Sequence, residues 1–244
     1  MKISIFKESF YIFKITNFLL KNIYENLRKN FPLHNENTST FANKKYVFTS
    51  GTEEFENILR SNKELKEFYK HITSKRKLYL LYFRLIINFI ISRRNNIMDI
   101  VKLLRFPRFH FGRFRKNRLF NDISVGIQIS YIFNGGKIVP HTDSVSKLLS
   151  LLYYFPDNTV ANEVDFGTIF YKSDKKNFNN EHLDNERDEL EFKANSKILY
   201  KTEFNDKNIL YGFIKNEKSW HAVDEIITKE DYCRKSININ FNLV

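Results

Sequence analysis

The chain has 244 residues, 42% hydrophobic and 16% aromatic, with 25 Phe and 13 Tyr against only 7 Gly and 4 Pro; this composition excludes intrinsic disorder and is long enough to bury a core without staples. A single cysteine, Cys233, excludes an internal disulfide and cannot make a thiolate metal site alone, and the expectation is a reduced, cytoplasmic protein. The net charge of +12 is unevenly carried: residues 1–120 hold 25 Lys and Arg against 9 Asp and Glu, residues 121–244 hold 15 against 19.

Such asymmetry leaves an acidic partner open, whether nucleic acid, anionic lipid or an acidic substrate, but ranks it behind a solvated basic helical face. At the N-terminus Lys7, Glu8 and Lys14 interrupt any signal-like apolar run. The stretch Leu78–Ser92 is apolar but short and carries Arg84 and Asn88, so a buried helix is expected rather than a membrane span.

In chain order, Phe18, Leu19, Ile23 and Leu27 fall at helical spacing between Ile15 and Asn30, and Pro32 stops the run. A second helix opens at Thr52 as N-cap, with Glu53 and Glu54 in its first turn and a break near Ser74. The Leu78 helix and a further run, Ile97–Leu104, follow, so the first hundred residues are expected to be helical. After the basic stretch Arg105–Arg118 the pattern changes. VGIQISYIF, KLLSLLYYF, VDFGTIFY, NILYGFI and KSININF are short, rich in β-branched and aromatic residues, and separated by NGG, PDN and NDKN turns. In KSININF, Ile237, Ile239 and Phe241 share one face and Ser236, Asn238 and Asn240 the other. The acidic segment Asn179–Glu191 breaks the rhythm and is expected as an inserted loop or short helix. The fold class read from this is α+β: a jelly-roll core over residues 120–244, preceded by a helical region over 1–119 that packs on it.

GGKIVPHTD carries the chemistry. Residues two apart on an extended segment project to one side, so His141 and Asp143 can offer a nitrogen and an oxygen to one metal ion. His221, in the strand-like SWHAV, can return as third ligand. Two His and one carboxylate cap one face of an octahedral ion and leave three positions open, as suits non-haem Fe(II). An H-x-D alone is weak. The chain contains a second, His182-Leu183-Asp184, but acids and asparagines surround it and no strand-like flank fixes its geometry. Thirteen residues past His221, Arg234 and Ser236 open the last alternating strand on one face, and a guanidinium suits a bidentate grip on a carboxylate.

H-x-D, a distant His, then Arg about a dozen residues later resembles the signature of the Fe(II)/2-oxoglutarate-dependent dioxygenases. YIFNGGKIVPHTD, KLLSLLYY and VDFGTIFY look like the prolyl 4-hydroxylase branch. The resemblance covers residues 120–244 and implies a double-stranded β-helix, cupin-like in type. It further implies Fe(II) on His141, Asp143 and His221, with 2-oxoglutarate held by Arg234 and Ser236 and hydrogen-bonded by Tyr131. O2 and a small-molecule or peptide substrate would be the other reactants, and hydroxylation the default outcome. Collagen-type prolyl hydroxylases carry Lys in place of Arg234. The alkylated-nucleic-acid demethylases carry a second Arg where this chain has Asn240, which argues against nucleic-acid repair. The competing expectations are a cupin-like metal- or ligand-binding module without turnover, and a basic interaction protein using RFPRFHFGRFRKNR on an acidic partner.

Overall fold

A computed structural model describes residues 2–32, 45–92, 107–111, 121–156, 166–175, 183, 185–205, 207–227 and 232–243. From Asn121 onward, successive strands alternate between two sheets, with one exception. β5 (Asn121–Phe133), β7 (Lys147–Tyr154), β10 (Ile209–Ile214) and β12 (Cys233–Leu243) lie in a large sheet; β6 (Ile138–His141), β8 (Ile169–Lys172), β9 (Lys197–Lys201) and β11 (His221–Val223) form a small one, in which β8 and β9 follow one another. The small sheet runs β6-β11-β8-β9 with antiparallel neighbours throughout. This alternation is what makes a double-stranded β-helix, and with the helices around it the chain has an α+β jelly-roll fold.

The N-terminal region departs from the all-helical expectation. It supplies the hairpin β1 (Lys2–Lys7) and β2 (Tyr11–Thr16), and also β3 (Lys45–Thr49). These extend the large sheet at both edges, in the order β1-β2-β10-β7-β12-β5-β3, while β4 (Pro107–His110) adds to β5 in parallel. Ile15, expected at a helix start, is therefore on a strand. Helix α1 begins only at Lys21 and runs to Lys29, because Asn17 takes the left-handed conformation (φ 52°) and breaks the chain direction. Asn208 pins that corner. Its Oδ1 accepts from the Leu19 backbone N–H (3.0 Å) and the Tyr153 hydroxyl (2.6 Å), and its Nδ2 donates to the Leu19 carbonyl (2.9 Å).

The remaining helices form where the spacing puts them. Thr52 caps α2 (Glu53–Ser61), its hydroxyl accepting from the Phe55 N–H. Asn62 then ends α2 and caps α3 (Lys63–Thr73) through Leu65 N–H at 2.7 Å, a second break besides the expected one at Ser74. The apolar run lies in α4 (Lys75–Ser92), where Leu78, Leu81, Tyr82 and Leu85 are buried. No helix among the described residues is long and apolar enough to cross a membrane. The expected helix at Ile97–Leu104 lies outside the described residues, as does most of the basic stretch that follows it.

Helices α1–α4 cover the outer face of the large sheet. Ile237, Ile239 and Phe241 of β12 enter one core with Phe55, Phe68, Leu78 and Leu81, and Phe68 stacks on Tyr153 (6.1 Å). The described end of the acidic insert enters α5 (Glu186–Ala194), capped by Asn185, against the small sheet, with Phe192 lying 4.6 Å from Trp220. Trp220 itself is fully buried and donates to the Lys175 carbonyl.

The Asn208 corner sets a stability prediction. Asn208→Ala strands the Leu19 backbone groups and the Tyr153 hydroxyl in a buried site, at about 1–3 kcal/mol for each group left unpaired. Urea denaturation is expected to show a loss of at least about 2 kcal/mol. A loss under about 0.5 kcal/mol would mean the corner holds without this side chain.

Candidate metal centre

The inner face of the large sheet is polar. Along β12 the residues opposite the apolar set, Ser236, Asn238 and Asn240, turn away from the helices, and Asn238 and Asn240 line a cavity of 160 Å³ between the sheets. Gln128 and Ser130 of β5 and Ser150 of β7 continue this floor. His141, Asp143 and His221 stand over it from the small sheet.

Pairing of β6 with β11 sets His141 opposite His221, with ring centroids 4.2 Å apart. Asp143 follows β6 in the left-handed region (φ 67°), an uncommon conformation for a side-chain-bearing residue that turns its carboxylate back between the two rings. Its Oδ1 lies 3.6 Å from His141 Nε2 and its Oδ2 3.8 Å from His221 Nε2. One ligand atom from each residue falls within 4.8 Å of the others. Each ring directs Nδ1 to the carbonyl two residues earlier, His141 to Val139 and His221 to Ser219, both at 2.9 Å. With Nδ1–H donating there, Nε2 is left as a lone-pair donor aimed at the carboxylate, the arrangement that metal-binding imidazoles use. The donor set therefore fits one divalent ion held on one face.

The charges agree with this. Burial, then the neighbouring His141 ring, lowers the pKa of His221 to about 3, against the pull of Asp143, so His221 is neutral, its ligand form. For Asp143 burial opposes ionisation. His221, the hydrogen bond with His141 and the Lys147 ammonium outweigh it and hold the carboxyl well below its usual range. With His221 neutral, the cation that faces Asp143 at physiological pH is Lys147, 2.8 Å from Oδ1; Ser150 donates to Oδ2 at 3.1 Å. Both fix the carboxylate's orientation. Neither residue is singled out by sequence pattern, although Lys147 stands one helical-turn distance from Asp143.

Helix α5 ties the two ligand strands together. Buried Glu189 accepts from Lys137, just before β6, at 2.7 Å and pairs with Lys193 at 2.9 Å, while Lys193 reaches Asp224, just after β11. The segment that interrupts the strand rhythm is thus a clamp on the site.

Arg234 and Ser236 share the inner face, as the alternation requires. Arg234 is 3% exposed and lines the same cavity as the triad. Its Nε donates to the Phe166 carbonyl at 2.7 Å, and its guanidinium lies 4.9 Å from the Tyr154 ring and 5.5 Å from the Phe204 ring. The adjoining Gly167 is demanded by close approach, because a Cβ there would fall onto the Thr202 carbonyl. Tyr131 is a correction. It projects to the outer face, among Phe31 and Phe48, and its hydroxyl donates to the Pro32 carbonyl at 2.9 Å. Odd-numbered residues of β5 face the helices and even-numbered ones the cavity, so Tyr131 is a core residue on the face away from the cavity. His182 and Asp184 lie outside the described residues.

Replacing His141, Asp143 or His221 by Ala is expected to abolish single-site binding of Co(II), read by its visible d–d spectrum and calorimetry. His182→Ala should leave it unchanged. Loss of binding in His182→Ala with retention in His141→Ala would assign the site to the other H-x-D.

Neither a protein-family profile nor a curated protein matches the chain. Among solved structures it is similar to a prolyl hydroxylase of Trichoplax adhaerens in complex with a hypoxia-inducible-factor oxygen-degradation-domain peptide, with 14% identity over 95% of this chain and 83% of that one, at a TM-score of 0.45. A viral collagen prolyl hydroxylase of Paramecium bursaria Chlorella virus-1, in complex with 2-oxoglutarate, is 11% identical over 96% of both chains, at a TM-score of 0.39. HygX of Streptomyces hygroscopicus, bound to nickel, 2-oxoglutarate and hygromycin B, is 10% identical over 96% of this chain and 83% of that one, at a TM-score of 0.45.

Proposed function

We propose that the chain is a non-haem Fe(II)- and 2-oxoglutarate-dependent dioxygenase that hydroxylates an unactivated C–H bond. One observation carries the reading: a single cavity is lined by a His-Asp-His set with both imidazole tautomers fixed and by a buried, pre-oriented arginine. Along β12, Asn240 pairs with Ser150 beside Asp143, while Arg234 sits near the other end of the strand. A molecule reaching from one to the other would put a donor group at the metal position and a carboxylate at Arg234.

His141, Asp143 and His221 would hold the iron, which supplies the O2 and 2-oxoglutarate chemistry when bound. Lys147 and Ser150 keep the Asp143 carboxylate turned toward the two rings. Arg234, held through Nε, would meet the distal carboxylate of 2-oxoglutarate with its guanidinium, and the Ser236 hydroxyl, which accepts from Nη1 at 3.5 Å, stands beside it. The aromatic rings around Arg234 keep water from that end and strengthen the pairing. A metal-storage module would not call for this buried anchor, which favours turnover over the cupin-like binding reading.

Two measurements test the reading. Iron-loaded protein is expected to form succinate from 2-oxoglutarate, with turnover stimulated by a member of a substrate pool. Arg234→Ala leaves a buried carboxylate unpaired, a cost of roughly 2–5 kcal/mol. The 2-oxoglutarate requirement should rise by about two orders of magnitude or more while metal affinity changes little. Lys235→Ala, on the outer face of the strand, should be nearly silent. Equal effects at the two positions, or none at either, would remove β12 as the co-substrate anchor.

A further inference from the structure

The cavity carries more positive charge than the proposed co-substrate and metal use. Three cations line it, Lys45, Lys147 and Arg234, against one acid, Asp143. Lys147 is spent on Asp143 at 2.8 Å, and Arg234 is tied to the Phe166 carbonyl and poised for the co-substrate. The Lys45 side chain forms no hydrogen bond or ion pair with any described residue. It comes from β3, outside the jelly roll proper, and enters by register: Lys45 and Arg234 both pair with Ile132, from opposite flanks of β5. Cross-strand partners project to the same face, so the two cations point into one cavity in one row.

We propose that Lys45 receives a carboxylate of the primary substrate, so that the cavity takes a small carboxylic acid beside its co-substrate; the inference rests on the co-substrate reading above. Arg234 and Lys147 repel the ammonium and Asp143 attracts it. Burial first, then Arg234, lowers its pKa to about 8, because the pull of Asp143 offsets only part of the desolvation. The neighbouring floor residues Gln128, Ser130 and Asn238 are neutral; they can hydrogen-bond an anion but cannot neutralise Lys45. One ammonium among neutral amides and hydroxyls matches a single carboxylate, whereas a phosphoryl group would call for further converging cations. A cationic substrate group is disfavoured beside Lys45, where it would meet a like charge. Selection of the substrate would then fall to a strand contributed by the basic N-terminal half.

The test uses full-length Zn(II)-loaded protein saturated with 2-oxoglutarate, which keeps Arg234 occupied. It is titrated calorimetrically with small aliphatic and amino-acid carboxylates, their primary amides, and inorganic phosphate. At least one carboxylate is expected to bind about tenfold or more tightly than its amide. Lys45→Met should remove that preference, Lys45→Arg should keep it, and 2-oxoglutarate affinity should stay within about threefold in both. The proposal is overturned if acids and amides bind alike, if phosphate binds best, if no carboxylate binds, or if Lys45→Met weakens 2-oxoglutarate as much as the carboxylate. Failure of the wild type to bind 2-oxoglutarate at all is a separate result, which overturns the co-substrate reading. The carboxylate-over-amide preference of the Zn(II) protein alone, and its loss in Lys45→Met, then decides the role of Lys45.

Discussion

Strand β12 is hydrogen-bonded to β5 over its whole length and to β7 over most of it, and this double pairing fixes which way each of its side chains points. Because the side-chain period of a strand is two, a slip by one residue would drive Ser236, Asn238 and Asn240 into the helical core and expose Ile237, Ile239 and Phe241 to the cavity. The helices α1–α4 need the apolar face, and the cavity needs the polar one. One register therefore serves both the stability of the outer core and the chemistry of the inner face.

The cavity pairs nearly every charge it buries. Asp143 is turned inward by a left-handed backbone and met by Lys147, Ser150 and two imidazoles. Arg234 is met by a carbonyl and two rings. A buried charge without a partner is costly, so these groups come as sets with fixed orientation. Lys45 is the exception among the described residues, and the lowered pKa of its ammonium is the physical sign of it. Preorganisation extends outward as well: the Glu189–Lys137–Lys193–Asp224 network joins the two strands that carry the histidines, so that α5 holds their separation.

The basic N-terminal half has two roles visible in the fold. Its helices cover the outer core, with many of its cations on their solvent-facing sides. Its strands complete the large sheet at both edges, and through β3 it delivers one cation to the inner face. A composition bias that reads as a solvated surface thus contains one residue whose meaning depends on where its strand docks.

The sequence by itself determined the features that rest on local chemistry. The alternation of KSININF assigned both faces of β12; Thr52 announced the start of α2; and the order of H-x-D, His and Arg-x-Ser named five residues that the fold brings to one cavity or its wall. These were legible because period, capping and turn chemistry act over a few residues. Tertiary structure alone decided the rest. Phe18, Leu19, Ile23 and Leu27 have helical spacing, yet Ile15 joins a strand because β10 and β1 offer backbone partners that local propensity cannot foresee. Tyr131 sits on the strand before His141, but the parity of β5 against β12 turns it to the helices. Lys45 and Lys147 carry no motif: long-range strand pairing sets Lys45 beside Arg234, while Lys147 meets Asp143 across the local turn between β6 and β7, which no sequence pattern announces. Pairing register between strands distant in sequence is fixed by burial of one face and satisfaction of backbone hydrogen bonds over the whole sheet, and no short window of residues contains that information.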